Sequence, residues 1–71
     1  MNGETRTELL RAMAELCSRY PQWRFGQLVA NVAGWADAEV WDVEDEALLS
    51  AAKSHLDHLA AREEVVRSAD A

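Results

Sequence analysis

Residues 21–31 read Pro21-Gln22-Trp23-Arg24-Phe25-Gly26-Gln27-Leu28-Val29-Ala30-Asn31. They hold the single proline, the single phenylalanine and one of three tryptophans. The residue before a proline is driven out of the α region, so a helix arriving from the N-terminal side ends at about Tyr20. Proline is also favoured in the first turn of a new helix. A second helix therefore starts at Pro21 or, if residues 21–23 form a short extended turn, nearer Arg24. Phe25, Leu28, Val29, Val32 and Ala33 recur at helical spacing and form its core stripe. Gly26 costs about 1 kcal/mol relative to alanine inside a helix. That cost implies close approach of another helix or an aromatic ring, or a backbone contact to a ligand.

Arg24, Gln27 and Asn31 stand at i, i+3 and i+7, which puts them on one stripe of the same helix. Two readings follow. As a recognition stripe, a guanidinium fork and two amides could hold a carboxylate, a backbone or a base edge. As a structural network, Arg24 would pair with Glu44 or Asp45 at the start of a third helix. Gln27 and Asn31 would then satisfy backbone groups of the connection over residues 35–41.

Towards the N-terminus, Thr5 or Thr7 can cap a first helix, and Thr5-Arg6-Thr7-Glu8 fits a capping box. Leu9, Leu10, Met13, Leu16, Cys17 and Tyr20 fall in one apolar arc. Glu8, Arg11, Glu15 and Ser18 lie opposite, and Glu15 and Arg19 make a correctly oriented i,i+4 pair. Towards the C-terminus, Gly34 sits where the second helix should stop with φ > 0. An acidic connection follows, with Trp35 and Trp41 at its ends. Asp42 or Asp45 can cap the third helix. Its apolar stripe is Leu48, Leu49, Ala52, Leu56, Leu59 and Ala60, and Glu63 would fall on the core face, so packing stops near there.

The expected fold is all-α: a single compact three-helix domain over residues 1–71. Its helices span about 5–20, 22–34 and 43–62, with frayed ends at about 1–4 and 66–71. A domain of 71 residues buries a small core and usually needs a staple. One cysteine excludes an intrachain disulfide. Self-association, most simply a homodimer, or another protein is the expected remedy. The lone cysteine and the absence of a charged-then-apolar leader point to the cytoplasm. No apolar run is long enough for a membrane span.

The net charge of −6 is unevenly spread. Residues 1–35 carry four Arg against three Glu, whereas residues 36–71 carry three basic and ten acidic residues. Six of those carboxylates lie within residues 37–46. This balance opposes non-specific nucleic-acid binding, which needs a basic face. The acidic run can be a solvated loop and helix start. With Trp35, Asp37, Glu39 and Trp41 it can also be an interaction surface, because tryptophan is enriched where binding energy concentrates. Alternatively, both tryptophans fold back onto the core. The run does not match a calcium loop.

His55 and His58 have a spacing compatible with a metal pair but lack a third ligand, so they read as ordinary histidines, His55 bordering the core. Cys17 lies on the core arc and reads as a small hydrophobe. No phosphate loop or nucleophile–base set occurs, so no enzyme activity, cofactor or small-molecule substrate is expected.

The segment from Leu16 to Leu49 resembles a group of small bacterial and phage-associated helical proteins. Their pattern is Tyr-Pro-x-x-Arg-apolar-Gly-Gln-Leu, then Asn, an aromatic, and Glu-Asp-Glu-x-Leu. Here these are Tyr20-Pro21, Arg24 to Leu28, Asn31, Trp41, and Glu44-Asp45-Glu46 with Leu48. The resemblance covers about half the chain and brings no activity with it. It implies that the Arg24 stripe and the acidic helix start belong to one unit. Trp35 and the extended acidic linker fall outside that pattern. The function expected from the sequence is protein binding through a tryptophan-containing acidic surface, without catalysis. The rival is a small helical DNA-binding regulator using Arg24, Gln27 and Asn31.

Overall fold

Three helices form: α1 over Gly3–Arg19, α2 over Phe25–Trp35 and α3 over Asp45–Asp70. The structure, a computed structural model, describes residues 3–70, with side chains through residue 63. The all-α three-helix architecture is the expected one. The helix ends differ, and each difference has a local cause.

α1 begins before either threonine, so neither caps it. The Thr7 hydroxyl instead donates to the Gly3 carbonyl at 2.8 Å, a bond back to residue i−4. Gly3 and Glu4 are helical, and residues 1–2 lie outside the described part. At the other end, Tyr20 still donates its N–H to Leu16 O at 2.9 Å. The Trp23 N–H then donates to Tyr20 O at 3.1 Å, closing a turn with Pro21 at its second position, where its fixed φ fits. Helix α2 therefore starts late, with Arg24 extended at the N-cap (φ −70°, ψ 152°).

Gly34 does not end α2. Trp35 is its last residue, and Asp37 takes the left-handed conformation at φ 58°. The Asp37 N–H donates to Gly34 O and the Ala38 N–H to Ala33 O, both at 3.0 Å. This pair of bonds is a Schellman motif, built on aspartate where glycine is usual. At α3, neither Asp42 nor Asp45 is the cap: Glu44 precedes the first helical residue, and its carbonyl accepts the Leu48 N–H at 3.0 Å. Asp45 and Glu46 occupy the first turn, where carboxylates favour the helix dipole. The helix runs on through Asp70, past the expected stop and into the tail that was expected to fray. The stretch Ala60-Ala61-Arg62-Glu63-Glu64 holds good helix formers with no Gly or Pro to break it. Ala71 lies outside the described residues.

α1 and α3 run in the same direction, and the end of α2 lies beside the end of α1 and the middle of α3, at Trp23 and His55. Arg6 pairs with Asp45 near the start of both long helices, and Arg19 pairs with Glu63 further along both. The core is Leu9, Ala12, Met13, Leu16, Leu28, Val32, Ala33 and Ala52. Leu48, Leu49 and Leu56 pack partly buried against it, whereas Ala60 is exposed.

Besides Ala60, two large residues expected in the core are outside. Leu10 is 60% exposed, because α1 buries a narrower arc centred on Leu9, Ala12, Met13 and Leu16. Phe25 is 61% exposed. It is the first residue of α2, and helical side chains lean towards the N-terminus, so its ring points back off the end of the helix. Gly26 meets no neighbour: a Cβ built there has nothing within 4 Å, so close packing does not explain it.

Candidate functional site

Four aromatic side chains converge where α1 ends and α2 crosses α3. Tyr20 closes the apolar arc of α1, and the Pro21 turn folds Trp23 back so that their rings stack at 4.1 Å and 8°. Trp35, on the last turn of α2, stacks on His55 of α3 at 3.9 Å and 13°. The two stacks lean together, with Trp23 and Trp35 at 6.4 Å and Tyr20 and His55 at 5.8 Å. The Tyr20 hydroxyl and His55 Nε2 are hydrogen-bonded at 2.7 Å. With Nε2 unprotonated the hydroxyl donates; with Nε2 protonated the ring donates to the phenol oxygen. Burial, with a smaller repulsion from His58, holds the His55 pKa below its usual 6.5.

Sequence reasoning placed His55 at the edge of the core but missed this cluster. Its only signal was an aromatic or histidine bordering each apolar stripe. Which of them would meet depends on helix orientation.

Trp41 behaves differently. Its side chain is 81% exposed, and neighbouring Val40 is 42% exposed. The turn carrying it is nonetheless built: the N–H groups of Asp42 and Val43 both donate to Glu39 O at 3.0 Å. Asp37, Glu39, Asp42 and Glu44 are all exposed around it. Gly34, Asp37, Ala38, Glu39 and Asp42 line an open depression of about 410 Å³ beside the turn. Of the expected surface of Trp35, Asp37, Glu39 and Trp41, three members share this turn region. Trp35 is only 38% exposed because one face of its ring is on His55.

The Arg24 network does not form as expected. Asp45 is taken by Arg6, whose Nε donates to Oδ2 at 2.6 Å. Among the described residues Arg24 makes no ion pair with Glu44 or Asp45. Arg24 and Gln27 are exposed and Asn31 is half-buried, so the three lie along the open side of α2. Arg19 pairs with Glu63 rather than with Glu15. Cys17 is half-buried and free. Among the described residues no group of three or more His, Cys, Asp or Glu side chains could hold a metal ion. Among the described residues no helix is long and apolar enough to cross a membrane.

No family model, curated protein or solved structure matches this chain.

Proposed function

We propose that this chain is a small non-catalytic protein-interaction module that presents Trp41 to a partner. The observation carrying this reading is the 81% exposure of Trp41 on a hydrogen-bonded turn. An indole held in water by an ordered backbone forgoes the burial that would stabilise the fold. The same ring entering a partner's pocket buries about 150–250 Å². Tryptophan is among the residues that concentrate binding energy at interface centres. The surrounding carboxylates would form the polar rim, favouring a basic partner surface and a faster encounter at low salt. The partner could be a second copy, which would supply the staple a domain of this size tends to need.

Trp41→Ala separates binding from folding. Wild-type protein should capture a partner from an extract of the source cells, or show a concentration-dependent dimer by light scattering. The variant should lose that association with its melting temperature unchanged. Equal association by both proteins would remove Trp41 from the function.

The open side of α2 supports a second reading. Arg24 and Gln27 are exposed there, and Arg24 has no carboxylate partner among the described residues. Such a stripe could contact base edges or phosphates. The net charge of −6 works against it. Binding to mixed-sequence DNA that falls steeply with salt and is lost in Arg24→Ala would favour this reading over the first.

A further inference from the structure

We propose that His55 makes the docking of α2 on α3 sensitive to mild acid, loosening Trp35 and the turn that follows it when the ring gains a proton. The contact between these helices is small: α2 buries Leu28, Val32 and Ala33, and its last turn is held through the Trp35–His55 stack. Two residues beyond Trp35 comes Asp37, whose left-handed backbone begins the segment leading to Trp41. The charge of one imidazole thus acts directly beneath the end of α2.

Each element around the ring can be examined for what it offers an imidazolium. α1 presents the Tyr20 hydroxyl, which can accept from the charged ring as well as donate to the neutral one. The connection into α2 places Trp23 against Tyr20, and α2 itself presents Trp35; neither carries a charge. On α3 the titratable neighbour is His58, of like sign once protonated. Among the described residues no carboxylate pairs with His55, and the nearby Arg19 is occupied by Glu63. A stacked indole does attract a cation. Burial and His58 act in the opposite sense and lower the pKa of His55.

The sign of the effect follows. Because the folded state holds His55 below 6.5, the unfolded chain takes up the proton first. The stabilisation is complete above the unfolded value, and declines as pH falls from there through the folded one. Local opening of the end of α2 obeys the same linkage, since opening returns His55 to water.

The test is an NMR titration from about pH 7 to about pH 5, where histidine charge changes. It would follow the His55 ring protons together with hydrogen exchange at the amides of Ala36, Asp37 and Ala38, corrected for intrinsic rate. The expected result is a His55 midpoint below 6.5, with exchange at these amides quickening several-fold as pH falls from 6.5 to that midpoint and levelling off below it. In His55→Gln, which can still bond Tyr20, the corrected exchange should be flat over the same range. A midpoint at or above the usual value would overturn the proposal, as would equal quickening in His55→Gln. Should His55→Gln not fold, the wild-type titration still decides, because loss of protection outside the interval between 6.5 and the His55 midpoint is equally fatal. No binding partner enters the measurement, so its outcome is independent of the role proposed for Trp41.

Discussion

The hydroxyl of Tyr20 and Nε2 of His55 are joined at 2.7 Å across a sequence separation of 35 residues. This bond ties the end of α1 to the middle of α3, at the level where Trp35 brings in α2. Tyr20→Phe keeps the ring and its stack on Trp23 but removes the bond. We expect a loss of about 1 kcal/mol, the usual net worth of a partly buried hydrogen bond. Thermal melting at neutral pH would measure it, and an unchanged melt would show that water replaces the hydroxyl without cost.

Asp37 occupies a conformation that glycine adopts without strain, at φ 58°. Asp37→Gly should raise stability by up to about 1 kcal/mol, since a non-glycine residue there costs about 1–2 kcal/mol. Removing a negative charge beside the C-terminus of α2 acts in the same direction. Urea denaturation would register the gain as a higher midpoint with the same slope.

Gly26 and Gly34 both lie in α2 with open space where a Cβ would stand. Gly26→Ala and Gly34→Ala should each stabilise by about 0.5–1 kcal/mol. The two sites share no neighbour, so the double variant should show nearly the sum. A loss at Gly26 would indicate that its backbone approaches something absent from the isolated chain.

Leu16 is fully buried, whereas Leu10 is 60% exposed on the same helix. Leu16→Ala should cost about 2–5 kcal/mol, a large share of the stability of so small a domain. Leu10→Ala should stay within about 0.5 kcal/mol. Comparable losses at the two positions would place Leu10 in an interface, and the mass of the Leu10 variant in solution would then reveal it.

Arg24→Ala should also leave the stability within about 0.5 kcal/mol of wild type, because Arg24 is exposed and Asp45 belongs to Arg6. A clear drop in the melt would restore the salt bridge that the sequence suggested.

The number and type of elements were legible because they depend on neighbours in the chain. Pro21 ends α1 through its own ring, and the 3.6-residue recurrence of Leu9, Met13 and Leu16, or of Leu28 and Val32, marks the buried stripes. Helix ends were less legible because several residues compete for each terminal role. Gly34 suits a helix stop, but α2 continues one residue further, which places Trp35 on His55 and passes the left-handed position to Asp37. Thr5 and Glu8 match a capping box, yet the helix begins upstream of them.

Local chemistry thus determined three helices, the break at Pro21 and most of the core. Tertiary structure alone decided which charges pair and which aromatics are covered. Asp45 answers Arg6 and not Arg24 because α1 and α3 lie side by side in the same direction, which no local pattern encodes. Trp35 finds a ring to stack on because α2 crosses His55, whereas Trp23 meets Tyr20 locally through the Pro21 turn. Trp41 stays exposed, because burial is a property of what lies opposite a side chain rather than of the side chain itself.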